Sequence, residues 1–280
     1  MTLEANEITF FRTGIAFLSL VLLSFFVRGS RPLTRKEITR LILTGMIVGL
    51  HWITFFYAIK ISTISIAVVC LSSSSLFTSF LEPLIFKRKY LFSELILSIA
   101  VSLGVLVIFG FETQYTLGII IGLISSFLSA LYNTLNGMFV QEISSRKIAH
   151  YEMLGGFLVA TGFLVATNNL SAATFNISTT DLVYLFALAI ICTTFTFILS
   201  VWVMKFVTPF TVSISVNMEP VYTIILALCI DRYRGTQHER MSSGFYIGGA
   251  IIIATILVHA WLKFRLAEGK AKKSGLHTPA

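Results

Sequence analysis

Three residues are out of place in the apolar stretch 208–230, TPFTVSISVNMEPVYTIILALCI: Asn217, Glu219 and Pro220. The stretch is long enough to cross a bilayer, where an unpaired carboxylate costs about 2.5 kcal/mol or more. Glu219 must therefore face protein or water, while Pro220 removes a backbone donor and invites a break in the helix. A carboxylate beside a helix break at mid-depth is suited to holding a small polar solute or a proton in a carrier. The competing reading is a packing glutamate bonded to a neighbouring helix.

Other residues could act at the same level. With a rise of about 1.5 Å per residue, Glu219 lies near mid-depth when counted from Pro209. His51 and Trp52 lie about as far from Thr39, and Ser72, Ser73, Ser74 and Ser75 fall at that depth too. His51 and Glu219 are the residues able to take up protons. Trp52, Phe197 and Tyr222 would supply stacking surface, and Asn217 with the serines hydrogen bonds to a solute. Arg12 near the outer end of its span either snorkels or meets ligand. Tyr132, Asn133 and Asn136 either reach the site or bond neighbouring helices. Glu82 reads as a solvated partner of Lys87, and Glu152 as a carboxylate at a helix start. Gly155, Gly156, Gly162, Gly244, Gly248 and Gly249 read as close-packing faces.

The elements that carry these residues are transmembrane helices. The chain is 56% hydrophobic and 12% charged, about half the charge of a soluble domain. Apolar runs at 8–27, 39–59, 64–86, 92–111, 116–138, 151–168, 182–204, 209–230 and 244–263 predict nine spans and leave no room for a soluble domain. The runs are too long and unbroken for a barrel. A net charge of +8 could suggest nucleic acid, but the basic residues sit in short loops and the tail, so no nucleic-acid partner is expected. Cys70, Cys192 and Cys229 lie inside apolar runs without metal-ligand spacing, so no metal and no cofactor are expected. If the tail is cytoplasmic, sixteen of the 21 Lys and Arg fall on that side and four on the other. This predicts a multi-pass protein of the cell membrane with a cytoplasmic C-terminus. Met1 to Glu7 then reads as an outer loop, and an upstream helix is expected before it.

The chain also matches itself at a spacing of 145 residues, with FYAIKISTISIAVVCLS over VWVMKFVTPFTVSISVN. Lys60 falls on Lys205, Thr63 on Thr208, Ser72 on Asn217 and Ser74 on Glu219; His51 and Trp52 fall on Thr196 and Phe197. Five spans separate each element from its partner, and an odd number inverts the second copy. The expected division is a first half at 1–112, a second at 113–265 and a basic tail at 266–280.

The sequence resembles the EamA-type branch of the drug/metabolite transporter superfamily. The likeness lies in FFYAIK followed by the run to LEPLIFKR, in MEPVYTIILALCI and in ERMSSGFYIGGAIIIATIL, with Arg12 of FFRTGIAFLSL matching an arginine common in the family's second helix. It implies an all-α membrane fold of two inverted five-helix halves, here without the first of ten helices. It also implies transport of small organic molecules from a central cavity, usually outward. The insert DRYRGTQH departs from the pattern in an outer loop. The expected function is thus a secondary transporter, not an enzyme, moving amino acids, drugs or related solutes by alternating access. Its partners would be the solute, the lipid bilayer and protons. No GxxxxGK[ST] signature is present to suggest ATP as the driver. The alternatives are a membrane enzyme using His51 and Glu219 as acid and base, a scaffold without flux, and a channel. The expected site residues are Glu219, Asn217, His51, Trp52, Ser72, Ser74, Thr196, Phe197, Tyr222, Arg12 and Asn133.

Overall fold

A computed structural model describes residues 3–26, 31–111, 113–168 and 172–219, then 222, 226, 229, 243, 244, 246–255, 257, 258 and 261. Pro220, the insert before Glu239 and the basic tail lie outside the described residues. Among those described, the chain is helical apart from short connections, without a strand. The elements are α1 (Ala5–Phe26), α2 (Arg35–Ile61), α3 (Ile64–Leu71), α4 (Ser74–Phe86), α5 (Phe92–Phe111), α6 (Thr116–Phe139), α7 (Ser145–Ala166), α8 (Thr179–Ala189), a π-helical turn (Ile190–Phe195), α9 (Thr196–Val203) and α10 (Pro209–Val216). Among the described residues, six segments are long and apolar enough to span: Ala5–Phe26, Arg35–Ile61, Ile64–Phe86, Thr113–Phe139, Ser145–Ala166 and Thr179–Val203. Phe92–Val107 and Tyr246–Thr255 are shorter apolar helices. Each falls on an apolar run read from the sequence.

Helix starts follow local chemistry. Thr34 and Glu37 form a reciprocal capping box at the start of α2. Thr63 caps α3 by accepting from the Ile66 N–H, and Thr208 caps α10 by accepting from the Thr211 N–H. These two caps are 145 residues apart, as are the eight-residue helices they open. Both helices then end in the same tight turn. Ser72 N–H donates to Val69 O at 3.0 Å, and Asn217 N–H donates to Ile214 O at 3.2 Å. The break therefore comes earlier than Pro220 and recurs at Ser72–Ser73, where no proline stands.

The two copies enter from opposite sides of the bundle. A Cβ on Gly118, at the start of α6, would lie 2.5 Å from Ser62, just before α3. A Cβ on Gly137, at the other end of α6, would lie 2.4 Å from Pro209, the first residue of α10. Equivalent helices thus begin at opposite ends of one spanning helix, which is inverted topology seen in the packing.

The bundle is held by close backbone approach, because lipid offers no hydrophobic drive for helices to meet. A Cβ on Gly45 would fall 2.2 Å from Glu152 O, and one on Gly155 would fall 2.2 Å from Ile42 O. Gly49 and Gly156 continue that seam between α2 and α7, and Gly104 meets Gly248 O. Gly162 and Gly249, expected on such faces, have open space where a Cβ would go. Large side chains close the rest of the core, among them Leu41, Ile148 and Met153.

Two carboxylates differ from their sequence reading. Glu82 is buried; it is held by Arg88 rather than Lys87, at 3.0 Å, and accepts the Phe210 N–H at 2.8 Å. A carboxylate at the start of α10 satisfies an orphan donor and the helix dipole together. Arg88 also binds Glu94 at 2.7 Å. Burial lowers the Arg88 pKa, but bonds to Glu94 and Glu82 more than offset this and hold it above its ordinary value. Glu152 does not stand at a helix start. It lies within α7, fully buried, accepting from Asn136 Nδ2 at 3.0 Å.

Candidate functional site

A cavity of about 480 Å³ opens at the level of the two breaks. Its walls come from both copies in matched pairs. His51 and Thr196 line it, as do Trp52 and Phe197, and Ser74 and Glu219. The same 145-residue register adds two pairs that were not singled out from the sequence, Phe55 with Ser200 and Leu71 with Val216. Residues related by an inverted repeat meet in one cavity only if it lies between the copies. Trp52 and Phe197 face each other edge to face, with centroids 6.3 Å apart.

The aromatic side of the cavity is continuous. Tyr132 stacks on Phe197 at 6.2 Å and lies 5.5 Å from the His51 ring, which in turn stacks on Phe55 at 6.1 Å. His51 is fixed from behind. Its Nδ1 is 2.9 Å from Ser125 O, while Ser125 Oγ donates to His51 O at 3.0 Å. These bonds are satisfied together with the ring proton on Nδ1.

Arg12 supplies the cation. It does not snorkel outward: its guanidinium lies 3.9 Å over the Trp52 ring, a cation–π contact made within the cavity. Nε donates to Thr193 Oγ1 at 2.6 Å, and Nη2 lies 3.4 Å from Cys192 O. Both partners belong to the π-helical turn. There, Thr193 and Thr194 return their hydroxyls to the carbonyls of Leu188 and Ala189, five residues back. The π-turn widens the helix and turns Thr193 and the Cys192 carbonyl toward Arg12. Glu219 lines the same cavity and is within electrostatic reach of Arg12. One cation and one carboxylate thus share an aromatic-walled space.

Eight of the expected residues line the cavity: Arg12, His51, Trp52, Ser74, Asn133, Thr196, Phe197 and Glu219. Three do not. Tyr222 is 66% exposed and lies away from this wall. Ser72 and Asn217 are buried behind the breaks, where they join the two copies. With its amide nitrogen facing carbonyls, Asn217 donates to Ser72 O and Ser213 O, each at 3.2 Å. Ser213 Oγ meets Thr78 Oγ1 at 2.9 Å beside it. The Asn217 amide thus links the two copies, while the Ser72 hydroxyl is buried without a partner and Ser213 also lines the cavity. Thr193, Ser129 and Ser200 were missed. The repeat register could have found Ser200, opposite Phe55, but nothing in the sequence marks the π-turn that places Thr193.

Residues 2–110 and 116–261 match the EamA-like transporter family. No curated protein matches the chain. Among 23 matching chains of solved structures, one crystal structure aligns over 93% of this chain and 89% of that one, with a TM-score of 0.67 at 13% identity. That likeness is one of fold.

Proposed function

Since the chain belongs to the EamA-like transporter family, whose members are membrane transporters, we propose that it is a secondary carrier of small zwitterionic or amphiphilic solutes, amino acids or close relatives. The observation that carries this reading is the 480 Å³ cavity between the repeats, with Arg12 and Glu219 in one aromatic wall. A solute carboxylate would meet Arg12, its ammonium would meet Glu219, and its side chain would lie against Trp52, Tyr132 and Phe197. The proposed mode is alternating access, which the frame supports: two inverted copies packed at their breaks could rock about Ser72, Ser213 and Asn217 and open the cavity to one face and then the other. Export is the direction that the family resemblance favours. Glu219 is the proposed proton carrier, since a carboxyl facing both solute and water can exchange a proton for substrate. The cytoplasmic C-terminus and location in the cell membrane rest on the excess of basic residues on one face.

Proteoliposomes holding the purified chain test this with radiolabelled neutral, acidic and basic amino acids. Saturable flux of one class is expected, stimulated by an imposed pH gradient; Glu219→Gln at unchanged protein level should lower it about tenfold and abolish that stimulation. Absence of saturable flux for every class would end the zwitterion reading. Flux indifferent both to the gradient and to Glu219→Gln would remove proton coupling and leave facilitated transport.

A further inference from the structure

A second cavity, of about 240 Å³, lies apart from the first where the C-terminal part of α1 meets the start of α7. Arg146, Lys147 and His150 project from the first two turns of α7, and Leu20 and Leu23 of α1 form the opposite wall. Ser144, the residue before α7, contributes a hydroxyl that makes no cap bond; the oxygen is buried and has no hydrogen-bond partner. A buried unsatisfied hydroxyl is costly, so its presence in a cavity wall points to a ligand that satisfies it. Around it stand two permanent cations, an imidazole and the positive end of a 22-residue helix, a set suited to an anion with several acceptor oxygens. Arg146 has no carboxylate partner among the described residues. Lys147 Nζ donates to the Arg31 carbonyl, which ties the loop before α2 to this corner. The other wall is Leu20, Leu23 and Ser24, whose hydroxyl is turned back onto the Val21 carbonyl, and it continues into the apolar side of α1, where Leu22 is 61% and Phe25 is 73% exposed.

We propose that this cavity binds a phosphate diester, the headgroup of an anionic phospholipid, with its acyl chains along α1. Ser144 and Arg146 bond the phosphate oxygens, Lys147 and His150 add charge and donors, and Leu20 and Leu23 hold the glycerol and first methylenes. The apolar wall distinguishes a lipid from free phosphate, for which it has no use. The site does not depend on what the central cavity carries.

Native mass spectrometry of the detergent-purified full chain reads this directly. Phosphatidylglycerol, phosphatidylcholine and inorganic phosphate would be titrated separately against wild type, Arg146→Gln, Arg146→Lys, Ser144→Ala, and a Lys36→Gln/Arg40→Gln control on the same basic face. Expected is preferential retention of one or two phosphatidylglycerol molecules, about five- to tenfold weaker in Arg146→Gln. Arg146→Lys should recover most of that loss, Ser144→Ala should be intermediate, and the control should match wild type. Equal retention of phosphatidylcholine, or an equal loss in the control, would overturn the site in favour of general surface charge. Displacement of the lipid by millimolar inorganic phosphate would overturn the lipid and make the occupant a soluble phosphate. If Arg146→Gln is recovered in poor yield, the Ser144→Ala titration decides alone, and wild-type affinity there refutes the proposal.

Discussion

The two walls of the central cavity share a backbone plan and divide the chemistry between them. α2 runs unbroken for 27 residues, while its counterpart over Thr179–Val203 is interrupted by the π-turn Ile190–Phe195. In the 145-residue register those six positions fall on Gly45 to Leu50. There the first copy meets the α7 backbone closely, through Gly45 and Gly49. A helix pressed against a neighbour at backbone distance has no room to widen. The second copy has Ile190, Ile191 and Phe195 exposed at the same level, so its helix can bulge, and the bulge presents Thr193 and Cys192 O to Arg12. Across the cavity the pairs diverge in kind: His51 against Thr196, Phe55 against Ser200, Ser74 against Glu219. In these three pairs the second copy presents hydroxyls and a carboxylate where the first has rings or a serine, while the cation, Arg12, belongs to the first half. Duplication fixed where the wall residues stand, and later divergence chose what each presents.

The sharpest way to break that contrast is to exchange the equivalent residues 45 and 190. Gly45→Ile drives a side chain into the Glu152 carbonyl and should cost about 3 kcal/mol or more, so that little monodisperse protein survives size-exclusion. Ile190→Gly, at a position 43% exposed, should cost only about 1 kcal/mol. A folded Gly45→Ile protein would mean that the first copy is no more tightly packed than the second. Next in size is the cation that the bulge receives. Arg12→Gln removes charge-assisted bonds worth about 1.5–3 kcal/mol each and should lower flux about a hundredfold at unchanged expression. Thr193→Ala removes one of them and should cost about tenfold. If Thr193→Ala is silent, the π-turn does not serve the arginine. Glu219→Gln should lower flux about tenfold and abolish its response to a pH gradient, whereas Ser74→Ala at the equivalent site should change flux less than twofold. Equal losses at 74 and 219 would erase the division of chemistry.

Much of this was legible before the coordinates. Apolar runs placed the spans, because a bilayer admits little else. The self-match at 145 residues placed His51, Trp52, Ser74, Thr196, Phe197 and Glu219 at one depth, and all six line the cavity. What could not be read depended on contacts between elements. Depth alone brought Ser72 and Asn217 to the site level, but only packing decides that the Asn217 amide meets the Ser72 carbonyl rather than the cavity. Arg12 sits over Trp52 because the π-turn offers acceptors there, and no local pattern announces that turn. Glu82 looked solvated beside a basic run, yet its carboxylate reaches Phe210 N–H in the other half, 128 residues on. Glu152 looked like a helix-start residue because α7 begins several residues earlier than its apolar run suggests.

The smallest effect is also the most direct test of the shared plan. Thr63 and Thr208 each cap an eight-residue helix, at 3.2 Å from the Ile66 and Thr211 nitrogens, and each helix runs into the same tight turn. If that plan is common to both copies, Thr63→Ala and Thr208→Ala should each destabilise by about 1 kcal/mol and agree within about half of that, read as matched shifts in thermal unfolding in detergent. Serine at either site keeps the acceptor oxygen and should restore stability. The surroundings work against equality, because α3 is almost wholly buried while Thr208 and Ser215 are exposed. Water can take over a lost cap at the exposed end more readily than at the packed one. A large cost confined to Thr63 would therefore mean that burial sets the value of a cap even where the backbone plan is the same. Equal costs would mean that the turn geometry sets it, and that the two copies still fold by one local rule despite their different walls.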